Sequence, residues 1–371
     1  MTHKPGIKFL LAFLFLLFAF SCVRRIQPPI RESTPRLVVE GLLTTDSTPY
    51  TVKLSYTGQL TNASSRVDSN QNFINDATVF IKDDAGDSSL CTLISPGTYQ
   101  STDISFVGKV GSIYTLNIRL SNGKTYVSTP EKIDPVPAID SISIVYDSTY
   151  DYDTRPTQLI ISVNAHDPGN TQNFYRWMSL GWVPRKAWGN PCAFGSPPPT
   201  DPFQNACGAL CLQYQGYNTL NVLSDQYING QEIIQPVFYS PVYWVGKHYI
   251  EVQQLSLNKD IYVFWQQYLQ QTNRTGSILD PLPSSLVGNI HNLSDSNDVA
   301  LGYFEVSDVM TKKIIIIPHS IPLYYIESTA AQFIPSPAGP GGGDCHGSIP
   351  NTLDDNAFPP GWENAEIIDF Y

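Results

Sequence analysis

Charge is sparse in this chain: Asp, Glu, Lys and Arg make up 15% of its 371 residues, and 22 basic side chains stand against 33 acidic ones. No basic run offsets that balance, which argues against nucleic acid or an anionic lipid surface as a partner. Histidine is also scarce. His166, His248, His291, His319 and His346 stand singly, and none belongs to the HExxH pattern that sets two ligands on one helical face. There is no GxSxG elbow, no GxxxxGK[ST] loop and no GxGxxG turn. A calcium loop starts at Asp68-Ser-Asn-Gln-Asn72, but Phe73 stands where glycine is needed and Val79 where a bidentate acid is needed. His166 and Asp167 are neighbours, yet adjacent residues of a strand point to opposite faces, and Asp-Pro-Gly is a turn signal. Cys207-Gly-Ala-Leu-Cys211 has a three-residue spacer, unlike common zinc sites. No catalytic residue, metal or cofactor is therefore expected, and the chain does not read as an enzyme.

Long apolar runs are absent too, apart from one. Phe9 to Phe20 is an uninterrupted run of twelve apolar residues, preceded by Lys4 and Lys8. Twelve residues are too few to cross about 30 Å of hydrocarbon as a helix, so this reads as an export signal rather than an anchor. Ala19 and Ser21 frame a cut before Cys22, and Ala-Phe-Ser-Cys resembles a bacterial lipobox. Residues 1–21 are thus expected to be a lipoprotein signal peptide, with Cys22 lipidated and tied to a bilayer. Each buried methylene contributes about 0.8 kcal/mol, so several acyl chains hold a protein durably. Removing residues 1–21 takes away two lysines and no acid, which moves the formal charge from −11 to −13. Residues 22–36, with three prolines, read as a tether.

What is present is β-like. LVVEGLL, YTVKLSY, ATVFIK, SIYTLNIRL and KTYVS follow one another from Leu37, the last two joined by Asn122-Gly123, a strong hairpin signal. About seven short strands without a helical period predict a mainly β protein, with an N-terminal immunoglobulin-like or transthyretin-like β-sandwich over residues 37–135. PEKIDPVPA, residues 130–138, reads as a stiff boundary. A second β-rich domain is expected over 139–334, followed by a Gly/Pro-rich C-terminal tail at 335–371. Within it NFYRWMSLGW reads as one strand and KKIIIIP as another. One helix is expected from about Asn258, with Ile261, Trp265, Tyr268 and Leu269 on one face.

A long insertion at about 183–243 carries cysteine, proline and aromatic residues. With Cys22 lipidated, Cys91, Cys192, Cys207, Cys211 and Cys345 remain, an odd number in an oxidising compartment. Cys91 is expected to be a buried free thiol. Cys192, Cys207, Cys211 and Cys345, in loop-like sequence, are candidates for disulfides. Loops on a rigid scaffold commonly carry binding, so Trp182, Trp188, Tyr214, Tyr217 and Trp244 are candidate ligand contacts.

The succession LVVEGLLTTDSTPYTVKLS, NDATVFIKDDAG, VGSIYTLNIRLSNGKTYVSTPEKI, HDPGNTQNFYRW, LSDQYINGQEI, LVGNIHN and LGYFEVSDV resembles the Bacteroidota exported lipoprotein family known as domain-of-unknown-function family 4249, from about Leu37 to Val309. The resemblance implies an outer-membrane, lipid-anchored protein, and an accessory binding or assembly role beside a TonB-dependent outer-membrane receptor. Two other readings stand beside it: a free-standing structural or adhesion lipoprotein, and a glycan-binding surface protein. Val23-Arg24-Arg25 follows Cys22 where surface-displayed lipoproteins of that phylum often carry acids, which leaves the membrane leaflet open. That phylum also O-glycosylates Asp-Ser/Thr motifs, which makes Ser47 and Ser148 candidate sites.

Overall fold

The computed structural model describes residues 34–46, 48–58, 72–149, 157–186, 210–216, 220–243, 246–273, 286–319, 352–354, 359 and 361–371. Contacts divide the chain into two units. One, Met1–Pro35 with Gly58–Asp68, has only Thr34, Pro35 and Gly58 among the described residues. The other, Arg36–Thr57 with Ser69–Tyr371, contains every element that follows.

The first strands are β1 (Leu37–Thr44), β2 (Thr51–Tyr56), β3 (Thr78–Asp83), β4 (Ser88–Ser95), β5 (Thr98–Ser101), β6 (Ile113–Arg119), β7 (Thr125–Ser128) and β8 (Glu131–Lys132). Period-two alternation explains them: Leu37, Val39 and Leu43 of β1, or Tyr114, Leu116 and Ile118 of β6, point inward while their neighbours face out. Asn122-Gly123 makes the expected β6–β7 turn, with Gly123 at φ 87°. After them come β9 (Ile139–Asp147), β10 (Gln158–His166), β11 (Phe174–Lys186), β12 (Leu210–Gln215), β13 (Asn221–Ser224), β14 (Glu232–Pro241) and β15 (His248–Leu257). The helix α1 (Lys259–Thr272) precedes β16 (Val287–Asn292), β17 (Val299–Ser307), β18 (Val309–Pro318), β19 (Thr352–Asp354) and β20 (Glu366–Phe370).

The protein is mainly β, as the strand pattern implies, but its first sheet is not the sandwich expected from residues 37–135. It runs β3-β4-β5-β2-β1-β17-β16-β7-β6 and closes, because β6 also pairs with β3; β8 is appended to β6. Nine strands thus form a ring, and two of them come from residues 287–307, far outside that segment. The join is parallel, Val38 opposite Leu301 through Thr44 opposite Ser307. Local sequence carries no trace of a partner so distant. Inside the ring lie Leu54, Ile81, Tyr99, Tyr126, Phe304 and Val306 with the inward residues of β1 and β6. β1, β17 and β16 approach closely at two glycines: Gly302 sits at φ 86°, where a Cβ would lie 1.9 Å from the Val39 carbonyl oxygen, and a Cβ on Gly288 would lie 1.4 Å from the Gly302 oxygen.

The remaining strands make two sheets that share a core. The three-stranded sheet β14-β10-β9 brings Leu159, Ile161 and Val163 against Tyr175, Trp177, Ile250, Val252 and Ile314 of the seven-stranded sheet β19-β12-β11-β15-β18-β20, on which β13 pairs with β11. A face-to-face pair of sheets therefore does occur, in the second half of the chain. The interval 183–243 is not wholly an insertion, since β12, β13 and β14 within it are sheet members; residues 187–209 lie outside the described residues. In α1, Asn258 caps the N-terminus by accepting from the Ile261 amide at 2.9 Å. Ile261 and Phe264 are its buried pair, Trp265 is half-buried and Tyr268 exposed, so the apolar face is turned slightly from the stripe expected. Cys91 lies in β4, buried and free, with burial pushing its thiol up to about 11.

Candidate functional site

β1 and β17 turn a second face outward, away from the ring core. On it stand Val38, Glu40 and Leu42 of β1, and Tyr303 and Glu305 of β17. Opposite lie Arg176 and Met178 of β11, with Phe264, Trp265 and Tyr268 of α1. Between these surfaces is a cleft of about 630 Å³, within the range of about 300–1,000 Å³ usual for small-molecule sites.

Its floor is an ion pair taken out of water. Arg176 Nη1 lies 3.3 Å from Glu305 Oε2, with side-chain exposures of 8% and 3%. Trp265 Nε1 donates to the same oxygen at 2.8 Å, and Ser307 Oγ donates to Glu305 Oε1 at 3.2 Å. The guanidinium carbon sits 4.6 Å from the centre of the Trp265 ring, a cation–π contact. Such a pair survives burial only when its other lone pairs and protons are satisfied. Glu305 meets that demand, while Arg176 meets it in part: Nη2 donates to the Met178 sulfur at 2.7 Å, and Nε has no partner among the described residues.

A second buried carboxylate supports the wall from behind. Glu131 accepts from Asn289 Nδ2 at 2.8 Å, from Thr129 and Asn258, and from Tyr303 at 3.5 Å. Asn258 is the cap of α1, Asn289 lies on β16 and Tyr303 on β17, so one side chain ties helix to ring. Burial first, then the negative charges of Glu131, Asp260 and Glu305, hold the Tyr303 phenol well above its ordinary pKa. Asp308 does similar work one residue beyond β17. It accepts from Thr45 Oγ1 at 2.6 Å and from the Val136 amide at 2.9 Å, while its own amide donates to Ser256 Oγ.

Of the aromatic residues expected to bind, Trp182 and Tyr214 come together. They face each other across β11 and β12 with ring centres 5.2 Å apart, and Trp182 packs against the cluster of Leu212, Tyr249, Ile315 and Trp362. Trp182 shares its face of β11 with Arg176, but six residues of strand, roughly 20 Å, separate the two. Trp188, Tyr217 and Trp244 lie outside the described residues, as do Cys22, Ser47, Cys192, Cys207 and Cys345; Cys211 is described in its backbone alone, on β12. Ser148 is exposed just after β9. His166 is exposed while Asp167 is buried, accepting from the Tyr175 hydroxyl and from the Gly230 amide at 2.9 Å. Ser240 Oγ and His248 Nδ1 are 2.7 Å apart, but both residues are wholly buried.

The residues that build the cleft were not among those expected. A signal for two of them was present: Arg176 is the only charge in FYRWMSLGW, and Glu305 the only charge in VALGYFEVS, and a lone charge in a buried strand needs a partner. A comparison with curated proteins gives no match. The profile of the family described as "Domain of unknown function (DUF4249)" matches residues 23–313, from just past Cys22 into β18, and the chain belongs to that family.

Proposed function

We propose that this protein is a lipid-anchored envelope protein whose cleft holds a small ligand, and that it serves as an accessory binding partner of a TonB-dependent outer-membrane receptor. The cleft is the observation that carries the binding half of this reading: a cavity of small-molecule size, walled by aromatic side chains, with a few converging polar groups at its floor. The location half rests on the sequence. A twelve-residue apolar run ends just before Cys22, and that cysteine is followed by a proline-rich stretch. In the oxidising space that such an anchor implies, Cys192, Cys207, Cys211 and Cys345 form disulfides.

Two measurements test it. Palmitate labelling and fractionation of the wild type and Cys22→Ser separate an acylated, membrane-bound protein from a soluble one. Wild-type protein that takes no label and is soluble after lysis removes the anchor. Affinity capture from outer membranes in mild detergent then tests the partner: a TonB-dependent barrel should come down with the tagged protein, and a lone monomer in several detergents refutes the receptor role.

A further inference from the structure

Arg176 lines the cleft, and one edge of its guanidinium has no oxygen on it among the described residues. Nη1 is taken by Glu305, but Nη2 has only a thioether and Nε has no partner among the described residues, although the side chain is almost fully enclosed. Nε and Nη2 are neighbours, and together they form the two-donor fork with which arginine grips a pair of adjacent oxygens. Met178 sits on one prong of this fork, its sulfur 2.7 Å from Nη2. Its side chain turns about three bonds and gives up a weak acceptor when it does so.

The charges around the fork decide what kind of ligand it suits. Among the described lining residues, Arg176 and Lys53 oppose Glu40, Asp46 and Glu305, an excess of one negative charge, and the guanidinium is already matched by Glu305. A carboxylate or phosphate entering here meets like charge, while an uncharged group with two neighbouring oxygen acceptors does not. The wall beside the fork is aromatic: Arg176 stacks on Trp265, whose ring centre is 5.8 Å from that of Tyr268, and Tyr268 is 41% exposed. Vicinal hydroxyls beside an apolar CH face are the pattern of a sugar ring. We propose that the cleft binds an uncharged saccharide, with two adjacent hydroxyl oxygens on Arg176 Nε and Nη2 and the CH face of the ring against Tyr268, Met178 swinging aside on entry. This rests on the cleft being a ligand site and on neither the anchor nor the receptor.

The test is calorimetric titration of the purified full chain with maltoheptaose, xylohexaose, mannohexaose and chitohexaose as neutral probes, and with polygalacturonate, a sulfated glycan and guanosine as the competing chemistries. At least one neutral oligosaccharide should bind. Arg176→Lys keeps the charge beside Glu305 but loses the fork, and should weaken binding roughly tenfold or more, the worth of one good bidentate pair. Tyr268→Ala alters an exposed side chain and should weaken it without touching the fold, which keeps the test valid if Arg176→Lys does not fold. Trp182→Ala, outside the cleft, should bind unchanged. Absence of binding to every neutral probe overturns the proposal, as does binding confined to the anionic glycans or guanosine, or neutral binding that survives Tyr268→Ala. Receptor capture from membranes reads the accessory role separately, so either idea can fail alone.

Discussion

His248 should make the fold sensitive to mild acid. It is wholly buried at the start of β15, with Nδ1 against Ser240 Oγ and with no partner for Nε2 among the described residues. Burial penalises the imidazolium and pulls the pKa down to about 3 from an ordinary 6.5. Between those values the unfolded chain binds a proton that the folded chain refuses. Stability from this group is therefore complete above about pH 6.5 and is lost as the pH falls. The whole gap corresponds to up to about 5 kcal/mol, of which about 2 kcal/mol is gone by pH 5. Urea unfolding followed by tryptophan fluorescence at pH 7, 6 and 5 reads this directly. A His248→Gln variant, which cannot titrate, should start less stable at pH 7 yet lose about 2 kcal/mol less than wild type on the way to pH 5. Carboxylates such as Asp298, held below its usual range by Lys124, Tyr126 and Asn292, act alike in both proteins and cancel in the difference. Parallel loss in wild type and variant would refute the reasoning.

Three other outcomes follow from the packing. Gly302→Ala forces a Cβ to 1.9 Å from the Val39 carbonyl at a left-handed φ, and should cost at least about 3 kcal/mol; a loss under about 1 kcal/mol in thermal melts contradicts the tight β1–β17 contact. Cys91, buried with a thiol pKa of about 11, should resist iodoacetamide at neutral pH until the protein unfolds, so rapid native alkylation refutes its burial. Arg176→Met and Glu305→Leu should each cost about 3–5 kcal/mol by stranding a buried charge, and the double variant much less than their sum; additive losses show that the two are not coupled.

Local pattern was a good guide to single elements and a poor one to their partners. The alternation in LVVEGLL and SIYTLNIRL, the Asn122-Gly123 turn, and the Asn258 cap ahead of α1 are all short-range features, and each forms where its residues imply. Ring closure is different in kind. β1 pairs in parallel with β17 across more than two hundred residues, and parallel pairing leaves no turn to read in the sequence. Assigning residues 37–135 to a closed domain of their own follows naturally from nearest-neighbour hairpins, and misses two strands for that reason. The aromatic residues expected to bind lie in or beside a loop-rich interval, whereas the cleft is lined by Trp265 and Tyr268 on a regular helix, where an aromatic stripe reads as core. Part of it is core: Phe264 packs on Tyr303 with ring centres 5.1 Å apart. Only the two lone charges, Arg176 and Glu305, pointed across the gap.

The same long-range closure explains why the cleft can be rigid. The ring is completed by β16 and β17 after the chain has already built most of the two-sheet half, so the two halves are stitched at more than one crossing. The tightest stitch is at Asp308, the single residue between ring strand β17 and sheet strand β18. Its carboxylate is held by Thr45, just past ring strand β1, and by Val136, which follows β8 and packs in the two-sheet core, while its amide is held by Ser256 of β15. Glu131 makes an independent tie from β8 to the cap of α1 and to β16. A hinge between the halves has to break buried, charge-assisted hydrogen bonds at both places, each of which is expensive to leave unmade. Cleft width is therefore set in folding, and the entropy of ordering the walls is already spent there. Lining side chains such as Met178 on Arg176 Nη2 and the exposed Tyr268 can turn without breaking either tie. Under the saccharide proposal, affinity is adjusted at Arg176, Met178 and Tyr268, whereas substitutions at Asp308 or Glu131 lower stability first.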